Sequence, residues 1–80
     1  MNDPRQQLIG CFTAVFPILM PESVTTATID TVPSWDSAHH FMLMQVIEER
    51  FSIRIPEVVL GEMNSFEDFE RYLDDLQRKV

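Results

Sequence analysis

Few residues in this chain could do chemistry, and most of those that could are grouped. Asp36-Ser37 is followed by His39 and His40, and the chain holds one cysteine, Cys11. If a helix opens at Ser37, its hydroxyl stands where the first backbone N–H groups have no helical carbonyl to bond and the helix dipole is positive. A phosphate ester on Ser37 would be stabilised there by the groups that hold free anions at helix N-termini. Capping alone also selects Asp and Ser at a helix start, so the dipeptide by itself supports either role. His39 and His40 are adjacent, about 100° apart on a helix, and cannot grip one ion as an i, i+4 pair could, so no metal site is expected. His40 falls at the inward edge close to Ser37, where it either lines the entrance of a cleft or is a satisfied, partly buried histidine. Cys11 lies on an apolar face with no cation near it in sequence and reads as core. Cys11, Ser37, His39 and His40 cannot be assembled into a base, nucleophile and oxyanion set at any recognisable spacing, so no catalytic activity is expected.

The elements that must position Ser37 follow from periodicity. From Asp36, a good N-cap, the residues His40, Leu43, Met44, Ile47 and Phe51 repeat on one face at helical spacing. With no glycine or proline between Ser37 and Phe51, a helix is expected from Ser37 to about Arg50. Before it, Asp3 caps a first helix from Pro4 to about Phe16, with Leu8, Cys11, Phe12, Val15 and Phe16 at helical spacing. Pro17 and Pro21 end that helix, and the run from Ser23 to Ser34 lacks any period, which predicts a long loop held down by Val24, Ile29 and Val32. After the central helix, Ser52 to Ile55 is too short to be a strand, and a one-turn helix is expected around Glu57 to Leu60. Gly61 and Asn64 break the chain before Ser65, which caps a last helix with Asp68 in its first turn and Phe66, Phe69, Leu73 and Leu76 inward. Arg78 and Lys79 suit its C-terminal end. The expected architecture is therefore all-α, a small bundle of three long helices and one short helix with a long loop between helices one and two, in a single domain over residues 1–80.

Composition narrows the function classes. Eighty residues form one simple core with little room for an enzyme cleft, and an apolar fraction of 45% with 24% charged residues predicts a folded domain. Thirteen acidic against six basic residues give a net charge of −7, which disfavours nucleic acid and anionic lipid and favours basic protein partners. One cysteine allows no internal disulfide, in keeping with a reducing cytoplasm. The apolar stretch Ile9 to Met20 is broken by Gly10, Thr13 and Pro17 and lacks a basic segment before it, so neither a secretory signal nor a membrane span is expected.

The stretch Asp36-Ser37-Ala38, followed by Phe41, Leu43, Met44, Ile47, Glu48, Glu49, Phe51, Ile53, Ile55 and Pro56, resembles the acyl carrier protein family without a gap. The family pattern is Asp-Ser-Leu, an apolar helix, an acidic pair, Phe-Gly-Ile-x-Ile-Pro and a Thr/Ser-capped last helix with an early Asp, matched here by Ser65-Phe66-Glu67-Asp68. The dipeptide is a weak motif, while its fixed spacing to Phe51-x-Ile53-x-Ile55-Pro56 is strong. The resemblance implies the three-plus-one helix bundle with a long first loop. It also implies that Ser37 accepts a 4′-phosphopantetheine arm from coenzyme A through a phosphopantetheinyl transferase, Asp36 helping to present the serine and the transferase's metal ion. Acyl or aminoacyl groups would then ride as thioesters on the arm, placed there and removed by acyl-loading and acyl-transferring enzymes.

Ala38 stands where the family has leucine, Ser52 where it has glycine, and Pro33-Ser34-Trp35 where it has Leu-Gly-x. Trp35 and His40 look more like carriers of polyketide or nonribosomal-type pathways than like the housekeeping fatty-acid carrier. Trp35, Ala38, Met42, Gln45, Val46 and Glu49 are the candidate docking residues for a monomeric carrier, with Met42 and Val46 forming an apolar pair four residues apart on the outward face. The competing expectation is a small helical interaction module that has the carrier fold and is never modified.

Overall fold

The computed structural model describes residues 3–78, with side chains to residue 76. It is all-α, with no strand among the described residues. Helix α1 runs Pro4–Val15, α2 Pro21–Val24, α3 Ser37–Phe51, α4 Glu57–Leu60 and α5 Phe66–Arg78.

Each long helix starts as its sequence dictates. The Asp3 carboxylate accepts from the Arg5 N–H at 3.1 Å, with Pro4 at the first helical position. Asp36 accepts from the His39 N–H at 2.9 Å. At α5 the Ser65 Oγ accepts from the Asp68 N–H at 3.1 Å, while the Asp68 carboxylate reaches back to the Asn64 N–H at 3.0 Å, a reciprocal pair displaced by one residue from the usual capping box. The expectation for Arg78 and Lys79 lies outside the described side chains.

The expected loop between the first two long helices departs from the sequence reading in two ways. It contains α2, so the bundle has three long and two short helices among the described residues, not three and one. Pro21 presets the first turn of α2 and the fully buried Val24 pins it, but four residues are too few to show a period. The loop is packed down by Val24, Ala27, Val32 and Trp35; Ile29, expected inward, is instead exposed. Two backbone bonds join this loop to the approach to α5, Ile29 N–H to Asn64 O at 2.8 Å and Phe66 N–H to Ala27 O at 3.0 Å. They form an isolated antiparallel bridge between Thr28 and Ser65.

Phe12 is the centre of the core. Its ring lies 5.3 to 6.3 Å from those of Phe16, Trp35, Phe66 and Phe69, mostly edge to face, the geometry that aromatic quadrupoles favour. From α3 come Leu43, Met44 and Ile47, and from α5 Phe66, Phe69 and Leu73, all buried as their spacing predicts. Phe51 and Leu76 are half-buried rather than fully inward.

Helix α3 ends where Ser52 enters the left-handed region at φ 56° and ψ 47°. The N–H groups of Ser52 and Ile53 both turn back to the Glu48 carbonyl, and the Glu48 carboxylate accepts from the Ile55 N–H at 2.7 Å. One residue thus ends the helix with its backbone and holds the following segment with its side chain.

Candidate functional site at the start of helix three

Ser37 is the first residue of α3 and is exposed. Position alone leaves the N–H groups of Ser37 and Ala38 without helical carbonyls, while that of His39 is taken by Asp36. A phosphate on Ser37 would therefore meet two uncommitted backbone donors at the positive end of a 15-residue helix.

Asp36 is held from two directions by one residue. Its Oδ1 accepts from the His39 backbone N–H at 2.9 Å and from the His39 Nδ1–H at 2.8 Å. These bonds, the backbone one first, lower the Asp36 carboxyl below the ordinary aspartate value. The cap stays charged at a pH where a free aspartate would begin to protonate, and weakens only as pH falls through the lowered value. The His39 ring stacks on Phe16 with centroids 5.7 Å apart.

His40 turns the other way. An indole N–H can only donate, so the 2.9 Å bond from Trp35 Nε1 makes His40 Nδ1 an acceptor. Nε2 then carries the proton given to the Leu60 carbonyl at 2.9 Å. Both ring nitrogens are satisfied, and the imidazole also lines a groove, so the two roles left open for His40 are compatible.

That groove, of about 450 Å³, is lined by Ile29, Asp36, Ser37, His40, Phe41, Leu60, Gly61 and Asn64. Its lining comes from the first loop, the start of α3, the end of α4 and the stretch before α5. A second groove of about 560 Å³ lies between α1 and α5 beside Arg5 and Glu70 and shares no lining residue with it.

Of the candidate docking residues, Ala38, Met42, Gln45 and Glu49 are exposed on α3, and Met42 keeps 46% of its surface. Val46 is half-buried against the core. Trp35 is a correction: only 3% exposed, it is locked among Phe12, Phe16 and Phe69 and by its bond to His40, so its side chain is a core element and cannot meet a partner. The residue that sequence reasoning missed is Phe41, 50% exposed at the groove rim. The signal was its place one turn after Ser37, on the same side of the helix.

Cys11 is buried, and burial pushes its thiol up despite the opposing charge of Arg50, a cation the sequence spacing did not bring near. No group of three or more His, Cys, Asp or Glu side chains able to hold a metal occurs among the described residues, and no described helix is long and apolar enough to cross a membrane. No family model, curated protein or solved structure matches the chain.

Proposed function

We propose that this chain is a carrier protein whose Ser37 bears a 4′-phosphopantetheine arm, and that it moves acyl or aminoacyl groups between enzymes without catalysing a reaction itself. The observation that carries this reading is the exposed Ser37 on the first turn of α3, beside uncommitted N–H groups and lining a groove. In the modification, Ser37 Oγ forms a bond to the pyrophosphate phosphorus of coenzyme A that bears the pantetheine. The bond from that phosphorus to adenosine 3′,5′-diphosphate breaks, and the serine proton passes to a base of the transferase. Asp36, charged and adjacent, is placed to attract the divalent cation that balances the phosphates. The three long helices, the Ser65-Asp68 cap and the one-turn helix after Pro56 agree with the resemblance to acyl carrier proteins.

The pathway in this reading is of polyketide or nonribosomal type, with a monomer in the cytoplasm serving a phosphopantetheinyl transferase and acyl-loading and acyl-transferring enzymes. Partners dock on the Ala38, Met42, Gln45 and Glu49 face together with Phe41. Incubation with coenzyme A, magnesium and a broad-specificity transferase is expected to add one arm, seen as a single mass increase that Ser37→Ala abolishes. An unchanged mass with several active transferases would favour the unmodified interaction module, for which the exposed Phe41 and Met42 would be the contact surface.

A further inference from the structure

Asp36 does not stand alone beside Ser37. The ring of His39 is wedged between the buried Phe16, on which it stacks at an interplanar angle of 24°, and the Asp36 carboxylate, which it meets at 2.8 Å. Phe16 is itself 1% exposed and fixed in the core, so the imidazole has a rigid backing. A carboxylate can only accept, so His39 Nδ1 carries the proton in this bond. Both donors of His39 land on Oδ1, and Oδ2 takes part in neither bond.

Resting on the carrier reading above, we infer that His39 is a positioning residue for the modification of Ser37: backed by Phe16, it pins Oδ1 and presents Oδ2 to the divalent cation of the transferase. Without the Nδ1 donor the carboxylate keeps its backbone bond but can rotate about it, so the cation and the carrier are held less well before P–O bond exchange begins. The lowered carboxyl of Asp36 agrees with this, since the same contacts keep it charged. The reaction needs no further reactant beyond coenzyme A and the cation.

The test is the initial rate of arm transfer to the full chain at a series of magnesium concentrations. His39→Phe keeps a flat ring against Phe16 and removes the donor, whereas His39→Asn places a donor at about the position of Nδ1. His39→Phe is expected to raise the half-saturating magnesium concentration and the KM for the carrier roughly tenfold with kcat near the wild-type value. His39→Asn should recover most of that loss. In an Asp36→Asn background His39→Phe should cost nothing further, because the group it acts through is gone. Wild-type magnesium dependence in His39→Phe, a failed rescue by His39→Asn, or an additive loss in Asp36→Asn would each overturn the inference while leaving Ser37 the modified residue. A wild-type chain that no transferase modifies overturns the carrier reading and this inference together, and is told apart because no variant then has a rate.

Discussion

Ser52 holds a backbone conformation, φ 56°, that costs an L-residue with a β-carbon on the order of 1 kcal/mol and costs glycine little. The acyl carrier protein pattern that the sequence resembles has glycine at this place, and here serine ends α3 instead. Ser52→Gly is therefore expected to stabilise the fold by about 0.5–1 kcal/mol, read as a higher urea midpoint at unchanged slope. A lower midpoint would mean that the serine side chain supplies more than the strain removes. At this scale the sequence was legible for Asp36, whose capping role needs only its place before an apolar repeat. It was not legible for Trp35. Within a stretch lacking any period, the direction of a side chain is set by successive turns, here Trp35 N–H to Val32 O and Asp36 N–H to Ser34 O, and no spacing encodes them. A tryptophan next to the candidate serine looks like a contact for partners, and burial against four aromatic neighbours made it core.

Among the elements, α3 carries Ser37 and the exposed candidate docking residues Ala38, Met42, Gln45 and Glu49. Its bounds were readable because Leu43, Met44 and Ile47 repeat without interruption and Asp36 marks the start. Its outward face was readable in outline, though Val46 turned out half-buried and Phe41 more exposed than Met42. A stripe estimated at 3.6 residues per turn does not resolve residues at its edges, where neighbouring elements decide what is covered. Met42→Glu places a charge on the exposed face away from the core, so helix content and stability should stay within about 0.5 kcal/mol of wild type. Thioester transfer with the cognate partner enzyme should fall roughly tenfold if this face is a contact. Equal transfer rates would remove α3's outward face from the docking proposal. Helix α2 escaped notice for a different reason: one turn has no repeat, and only Pro21 followed by a buried valine betrays it.

For the whole molecule, the helix class and the core composition could be read directly from the apolar spacing, but the convergence of four aromatic rings on Phe12 could not. Those rings come from α1, the loop before α3 and α5, and only the tertiary arrangement brings them together. Phe12→Ala is expected to cost about 3–5 kcal/mol, a large share of the roughly 5–15 kcal/mol typical of a domain. Thermal or urea unfolding measures it, and a loss below about 1.5 kcal/mol would show that the centre of the core lies elsewhere. The net charge of −7 belongs to this scale too, and it bears on the field around the molecule rather than on its fold.

The bond from the Ile29 amide to the Asn64 carbonyl joins two residues that line the groove beside Ser37. Those two stretches of chain are stitched together like the closed end of a sleeve, and spreading them breaks the stitch. The benzyl ring of Phe41, which lines the same groove and is half in solvent, can swing by rotation of its own side chain. Beside the serine, then, one pair of lining residues is tied by a backbone bond while the Phe41 ring can move with the backbone left where it is.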